Sequence, residues 1–316
     1  MPSAADCSWL SPEWRPDRAT ACRRGMAAFA VTTRELPGGS SLLSWLPSAH
    51  GTLSWVKGDD GLVGWGQAAR FTGRGPARFA QLSQWWSRLA ARVPVHDSIG
   101  VPGTGLVAFT CMAFADHPGD SALIVPQVVV GRRGTTSWIT TITGPAPPRE
   151  PDTTPQGVRY QAGSVDDGAH RSAVRAAVAR IRAGELSKVV LARDLIATSS
   201  EPLDERYLLL RLAGNFPACW TFAVNGLIGA TPELLLRHED QAVSSLLLAG
   251  TTWAGPGAAR PAALARQLLA SPKNRSEHEY AIQSLTRALQ PFCHAWTCPP
   301  NRQCSTSPTS RTWRPR

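Results

Sequence analysis

The sequence predicts an α+β protein built around large, mostly antiparallel β-sheets. Three observations carry this reading. Short apolar or alternating runs recur between turn-forming residues along most of the chain. Amphipathic helical segments are interspersed among them without strict strand–helix alternation. No repeat of about twenty to fifty residues is visible, which sets solenoids aside.

Residues 1–25 have little periodicity and many turn formers, and are expected to be a disordered N-terminal extension. The folded domain is expected to span 26–293. Its first strands are TLSWVK and LVGWGQAARF, separated by Gly58, Asp59, Asp60 and Gly61, residues suited to a hairpin. RFAQLSQWWSRLAARV places Phe79, Leu82, Trp86, Leu89 and Val93 near helical spacing. GLVAFTCMAF, ALIVPQVVVG and TTSWITTI read as three further strands. A proline-rich, charged stretch at 144–155 links the halves 26–144 and 156–293. Beyond it HRSAVRAAVARIRAGE is an amphipathic helix, and SKVVLARDLIATS is a strand. LDERYLLLRLAG is a helix with Asp204 near its start. CWTFAVNG, LIGATPELLLRHE and AVSSLLLAGTT supply strands, followed by helices at PAALARQLLA and SEHEYAIQSLTRALQPF.

Hydrophobic residues make up 43% and charged residues 18%, enough apolar content for a core and too little charge for wholesale disorder. No window is long and apolar enough to cross a bilayer, and the N-terminus lacks the apolar segment of a secretory signal. A cytoplasmic monomer without a membrane partner is expected. The net charge of +10 suggests nucleic acid, but half of it lies after Glu279, where five arginines meet no acid. The preceding chain is only mildly basic, so no nucleic-acid partner is expected. Cys293, Cys298 and Cys304 lie beside His294 in a C-x4-C-x5-C spacing that does not match the paired spacing of zinc sites.

Four strings carry chemistry: KVVLAR at 188–193, GATPELLL at 229–236, LAGT at 248–251 and SPKNRSEH at 271–278. In this order and spacing they resemble the chorismate-utilising (chorismate-binding) enzymes, closest to isochorismate synthases. The likeness runs over nearly all of 26–293 and is only general in the N-terminal half. It implies an α/β/β/α sandwich, incomplete at the C-terminus. It also implies chorismate as substrate, Mg2+ as cofactor and a role in menaquinone or catechol-siderophore synthesis.

The residue types suit that chemistry. Isochorismate formation adds water at C2 of chorismate while the C4 hydroxyl leaves, which requires a base, an acid and a cation for the carboxylates. The resemblance makes Lys188 the base, a role that requires enclosure to lower its proton affinity. It makes Glu233 the general acid, kept neutral by apolar surroundings to which Leu234, Leu235 and Leu236 are expected to contribute. Glu277 corresponds to a Mg2+ ligand, and Gly250 with Thr251 to a loop that approaches the substrate. Glu279 and His278 are expected to point to other faces of the helix. Within the resemblance, Lys at 188 combined with Ala at 249 implies the water-using branch, isochorismate synthase, with a salicylate synthase-like enzyme as the alternative.

Residues 294–316 break the pattern. This tail is rich in Trp, Cys, Pro, Ser, Thr and Arg, has no acids and is expected to be unstructured. The resemblance would place a His-Leu-Ala-Thr string, further metal-binding glutamates and a carboxylate-binding arginine downstream of it. A one-nucleotide shift makes the tail codons compatible with that string, so a frameshift near Ala295 is expected, leaving an inactive chain or a non-catalytic remnant. Sequencing the gene around codons 290 to 316 tests this expectation, and an unbroken native frame there would reject it.

Overall fold

The computed structural model describes residues 29–117, 119–142, 147–239, 242–253, 261–293, 302–306 and 310–315. The expected N-terminal extension therefore lies outside the described residues.

The first half contributes β1 (Val31–Glu35), β2 (Leu53–Lys57), β3 (Asp60–Trp65), β4 (Ala69–Gly73), α1 (Arg78–Ala90), β5 (Val95–Asp97) and β6 (Phe109–Cys111). It ends with β7 (Ser121–Val125), β8 (Val128–Arg133) and β9 (Thr136–Thr141). The second half opens with β10 (Arg159–Ala162), α2 (Asp167–Arg182), β11 (Leu195–Thr198), α3 (Glu205–Asn215), β12 (Trp220–Val224) and β13 (Leu227–Thr231). It continues with β14 (Leu234–Glu239), β15 (Ala242–Leu246), β16 (Ala249–Trp253), α4 (Pro261–Ala270) and α5 (Pro272–Leu289). The tail adds β17 (Arg302–Thr306) and β18 (Ser310–Pro315).

The main sheet has eight strands in the order β13-β12-β2-β3-β8-β9-β1-β5. Only β1 and β5 run parallel; every other pair in it is antiparallel. A smaller sheet, β4-β7-β6, lies against it. Leu53, Phe109, Ile124 and Val224 are buried between the two. The outer face of the main sheet is covered by α3 and a short 3-10 helix, Leu42–Trp45, through Leu42, Leu43, Leu46 and Leu209. On the far side α1 lays Leu82 and Leu89 over Leu123 and Val125 of β7. The α/β/β/α layering is thus present. The predicted α1 face holds at Leu82 and Leu89, whereas Phe79 is exposed beside the buried Arg78.

Two strand runs that look continuous in sequence are divided at one corner. ALIVPQVVVG splits at Pro126, so that β7 belongs to the small sheet and β8 to the main one. LVGWGQAARF splits at Gly66 into β3 and β4, which make the same change of sheet. The corners lie side by side: the Gln127 amide donates to the Trp65 carbonyl, and the Ala68 amide to the Val125 carbonyl. Gly66 has φ of 69°, and a Cβ there would collide with the Gln127 side chain, so glycine is required on both counts.

The proline-rich stretch does not separate two independent sheets, because β12 of the second half pairs with β2 of the first. The crossing is fastened by Asp204 and Arg206, each 1% exposed. Asp204 caps α3 by accepting from the Arg206 amide, and also accepts from the Arg206 guanidinium and the Thr153 amide. The same guanidinium donates to the carbonyls of Pro47, Glu150 and Pro151. The next residue, Glu205, accepts from the Thr52 amide and hydroxyl. Burial raises the Asp204 pKa, but the bonds from Arg206 and Thr153 and the Arg206 charge outweigh it, lowering the pKa from 3.8 to about 2.

The tail differs from expectation. Part of it forms the hairpin β17–β18, whose second strand pairs antiparallel with β16. Its other residues lie outside the described set.

Arg206→Ala leaves a buried carboxylate without its cation and is expected to cost about 3–5 kcal/mol in urea unfolding. The folded pKa of Asp204 lies below its unfolded value, so its contribution is present above pH 3.8 and is lost as pH falls towards about 2. The stability advantage over Asp204→Asn should shrink across that window by about 2 kcal/mol.

Candidate active site

Lys188 follows α2 on an irregular, exposed segment, whereas the sequence placed it on an apolar strand in an enclosed site. Regular structure begins only at Leu195. The reason is the ladder: residues 188–194 have no partner strand among the described residues, and an extended run without a neighbour has no inter-strand bonds to regularise it. The segment is pinned further along. Arg193 forms a salt bridge with Asp167 at the start of α2, and Asp194 accepts from the Ser164 amide and hydroxyl. Those Ser164 bonds hold the Asp194 carboxyl below its ordinary pKa. Gly163 lies against that carboxylate, where a Cβ would not fit.

Glu233 lies between β13 and β14, just after Pro232 has ended β13. Its amide donates to the Thr231 hydroxyl at 3.2 Å, which fixes the turn. Its carboxylate accepts from the Leu248 amide at 3.3 Å, one residue before β16. Glu233 is half-buried. Among the described residues the apolar surround expected from the following leucines is not formed: β14 pairs there only with β15, and Leu235 is 72% exposed. The register of the β14–β15 pair shifts between Leu234 and Arg237, and on this irregular stretch Leu235 and Leu236 both face outward.

Gly250 and Thr251 lie within β16, between β18 on its edge and α5, which packs against it. The helix is N-capped by Ser271, whose hydroxyl accepts from the Asn274 amide, and has Pro272 in its first turn. Glu277 projects from it with its side chain 29% exposed and its carboxylate 3.7 Å from the Lys273 ammonium, one turn earlier. His278 is fully buried, while Glu279 is exposed and accepts from Gln283. Both were expected on solvated faces other than that of Glu277; Glu279 is solvated, whereas His278 is buried.

The fold thus links Glu233, the start of β16 and the helix bearing Glu277. Lys188 lies on a separate, exposed run. Glu277 offers a hard oxygen donor suited to Mg2+. Among the described residues, however, no group of three His, Cys, Asp or Glu side chains converges to hold a metal ion. Two features escaped the sequence reading: the Leu248 amide as partner of Glu233, and the complete burial of His278. A backbone amide has no side-chain signature, and a histidine inside a charged helical turn reads as solvated.

The description "Chorismate binding enzyme" belongs to a family model that matches residues 146–307, more than half of the chain. The protein belongs to the chorismate-binding enzyme family. Among its relatives, Isochorismate synthase EntC of Escherichia coli (strain K12) is 35% identical over 130 residues, covering 40% of this chain and 33% of that protein. The Salicylate biosynthesis isochorismate synthase of Pseudomonas aeruginosa is 27% identical over 282 residues, covering 74% of this chain and 56% of its own length. In structure the chain is similar to MenF, the menaquinone-specific isochorismate synthase of Escherichia coli, with a TM-score of 0.67 at 20% identity. That match covers 91% of this chain and 69% of the solved one, and it shows a shared fold. The chain spans about half the length, or less, of the two sequence relatives. No helix among the described residues is long and apolar enough to cross a membrane.

Glu277→Gln removes one exposed i,i+4 ion pair and should change unfolding free energy by no more than about 0.5 kcal/mol. His278→Ala, which empties a buried site on the same helix, should cost at least about 2 kcal/mol. Paired urea titrations of the two variants check this contrast.

Proposed function

We propose that the site is built for the conversion of chorismate to isochorismate, with Lys188 as base, Glu233 as acid and Glu277 as one ligand of Mg2+. The observation that carries this reading is the bond from the Leu248 amide to the Glu233 carboxylate, which joins the GATPELLL and LAGT strings. Family membership and the isochorismate synthase relatives support it. In the reaction the base takes a proton from water attacking C2. The acid gives a proton to the C4 hydroxyl, which leaves as water while the ring double bond shifts. Water is neither gained nor lost overall, and solvent returns the proton from base to acid. Gly250 and Thr251 would border the ring on the β16 side. Glu277 would help hold Mg2+, which when bound would supply positive charge that offsets the substrate carboxylates. The pathway served would be menaquinone or catechol-siderophore synthesis.

For this polypeptide the reading is binding with little turnover. A general base must be enclosed, and Lys188 is exposed. The experiment is a pair of measurements on the purified chain: calorimetry of chorismate binding with and without Mg2+, and chromatography of the products. We expect Mg2+-dependent binding that Glu277→Gln abolishes and Glu233→Gln leaves intact, since a glutamine mimics the neutral acid. We expect no detectable isochorismate. No chorismate binding at all would defeat the assignment of the site. Turnover to isochorismate would defeat the inactivity alone; Glu233→Gln should then lower it by about 10²–10⁴-fold. Salicylate with pyruvate as products would favour the salicylate synthase-like alternative.

A further inference from the structure

The body formed by the first half buries its apolar side chains well, but the unit β10–α2–β11 does not. No residue of α2 is buried, and Tyr160 and Leu195 are 72% and 56% exposed. This unit contains a two-stranded sheet with both outer edges unpaired among the described residues. The edges differ. The β10 edge carries Arg159 and is flanked by Gly157, with φ of 61°, and by Gly163, features that discourage pairing. The β11 edge, Leu195–Thr198, has no charge and no proline.

The register shows which β11 groups face outward. The Gly163 amide donates to the Asp194 carbonyl, and Ile196 and Thr198 lie opposite Gln161 and Arg159. Antiparallel ladders alternate, so the even-numbered residues bond to β10. Leu195, Ala197 and Ser199 therefore direct their amides and carbonyls away from the sheet. We infer that this edge pairs with β11 of a second copy of the chain, antiparallel about a twofold axis at Ala197, giving a four-stranded sheet across the dimer.

Charge placement selects a second copy as the occupant. A twofold at Ala197 sets Leu195 opposite the partner's Ser199, and Arg193 opposite the partner's Glu201. The strand interior is neutral, with Arg193 before it and Glu201 after it; the intervening Asp194 is already engaged by the Ser164 amide and hydroxyl, so the reversed strand of a second copy complements it through Arg193 and Glu201. Arg193 already binds Asp167, but a guanidinium has five donors and can serve both carboxylates. The dimer is independent of the chorismate reading, since it uses none of the proposed catalytic residues.

Sedimentation velocity over a dilution series tests the pairing on the full chain. A reversible dimer is expected. Ala197→Pro removes an outward amide without breaking a bond to β10, and should give a monomer with unchanged circular dichroism. Glu201→Arg, on an exposed side chain, should weaken the dimer roughly tenfold by placing like charges opposite each other twice. Should Ala197→Pro unfold the chain, the Glu201→Arg result decides alone. A single-copy mass at every concentration, an open-ended polymer, or a dimer indifferent to Glu201→Arg would overturn the inference.

Discussion

The connection between the two halves depends on a charge cluster withdrawn from water. Arg206 would be costly to bury alone, and Asp204 equally so. Together, with three backbone carbonyls, the Thr153 amide and the start of α3 as further partners, they form a knot with its hydrogen bonds satisfied. The knot fixes residues 150–153 against the start of α3. Helix α3 then packs on β12 and β13, which complete the main sheet through β2. The turn that presents Glu233 follows directly from β13, so the placement of the proposed acid traces back to this cluster.

Legibility in the sequence followed the range of the interaction. Asp204 was readable as a helix start because capping is local. Arg206 was not, since its burial depends on carbonyls some fifty and a hundred and fifty residues away. The strand at TLSWVK and the turn at Gly58–Gly61 came through because alternation and hairpin chemistry are written in consecutive residues. The division of ALIVPQVVVG between two sheets did not, although Pro126 marked it: proline says that a strand ends, not which sheet the next one joins. The motif strings located Glu233, the LAGT strand and Glu277. They could not foresee that Lys188 would lie exposed, because strand formation requires a neighbour that no local pattern specifies.

These features divide the molecule by degree of completion. The first half and the β12–β13 hairpin share a core in which both sheets and both helical layers are covered. The elements bearing Lys188, and the β14–β15 hairpin after Glu233, carry apolar residues facing water. The chemistry proposed for the site demands dryness at those places. The covered part of the fold positions the proposed acid, whereas the uncovered part holds the proposed base.

The paired corners at Gly66 and Pro126 have a mechanical consequence. Two adjacent strands leave one sheet for the other at the same point, so the layers are sewn along a single seam. Sliding one layer past the other would tear both threads, leaving rotation about the seam as the softer motion. Amides at the stitch, such as those of Ala68 and Gln127, should therefore be among the last to exchange with heavy water, and fluctuations that admit solvent should begin at the opposite rim.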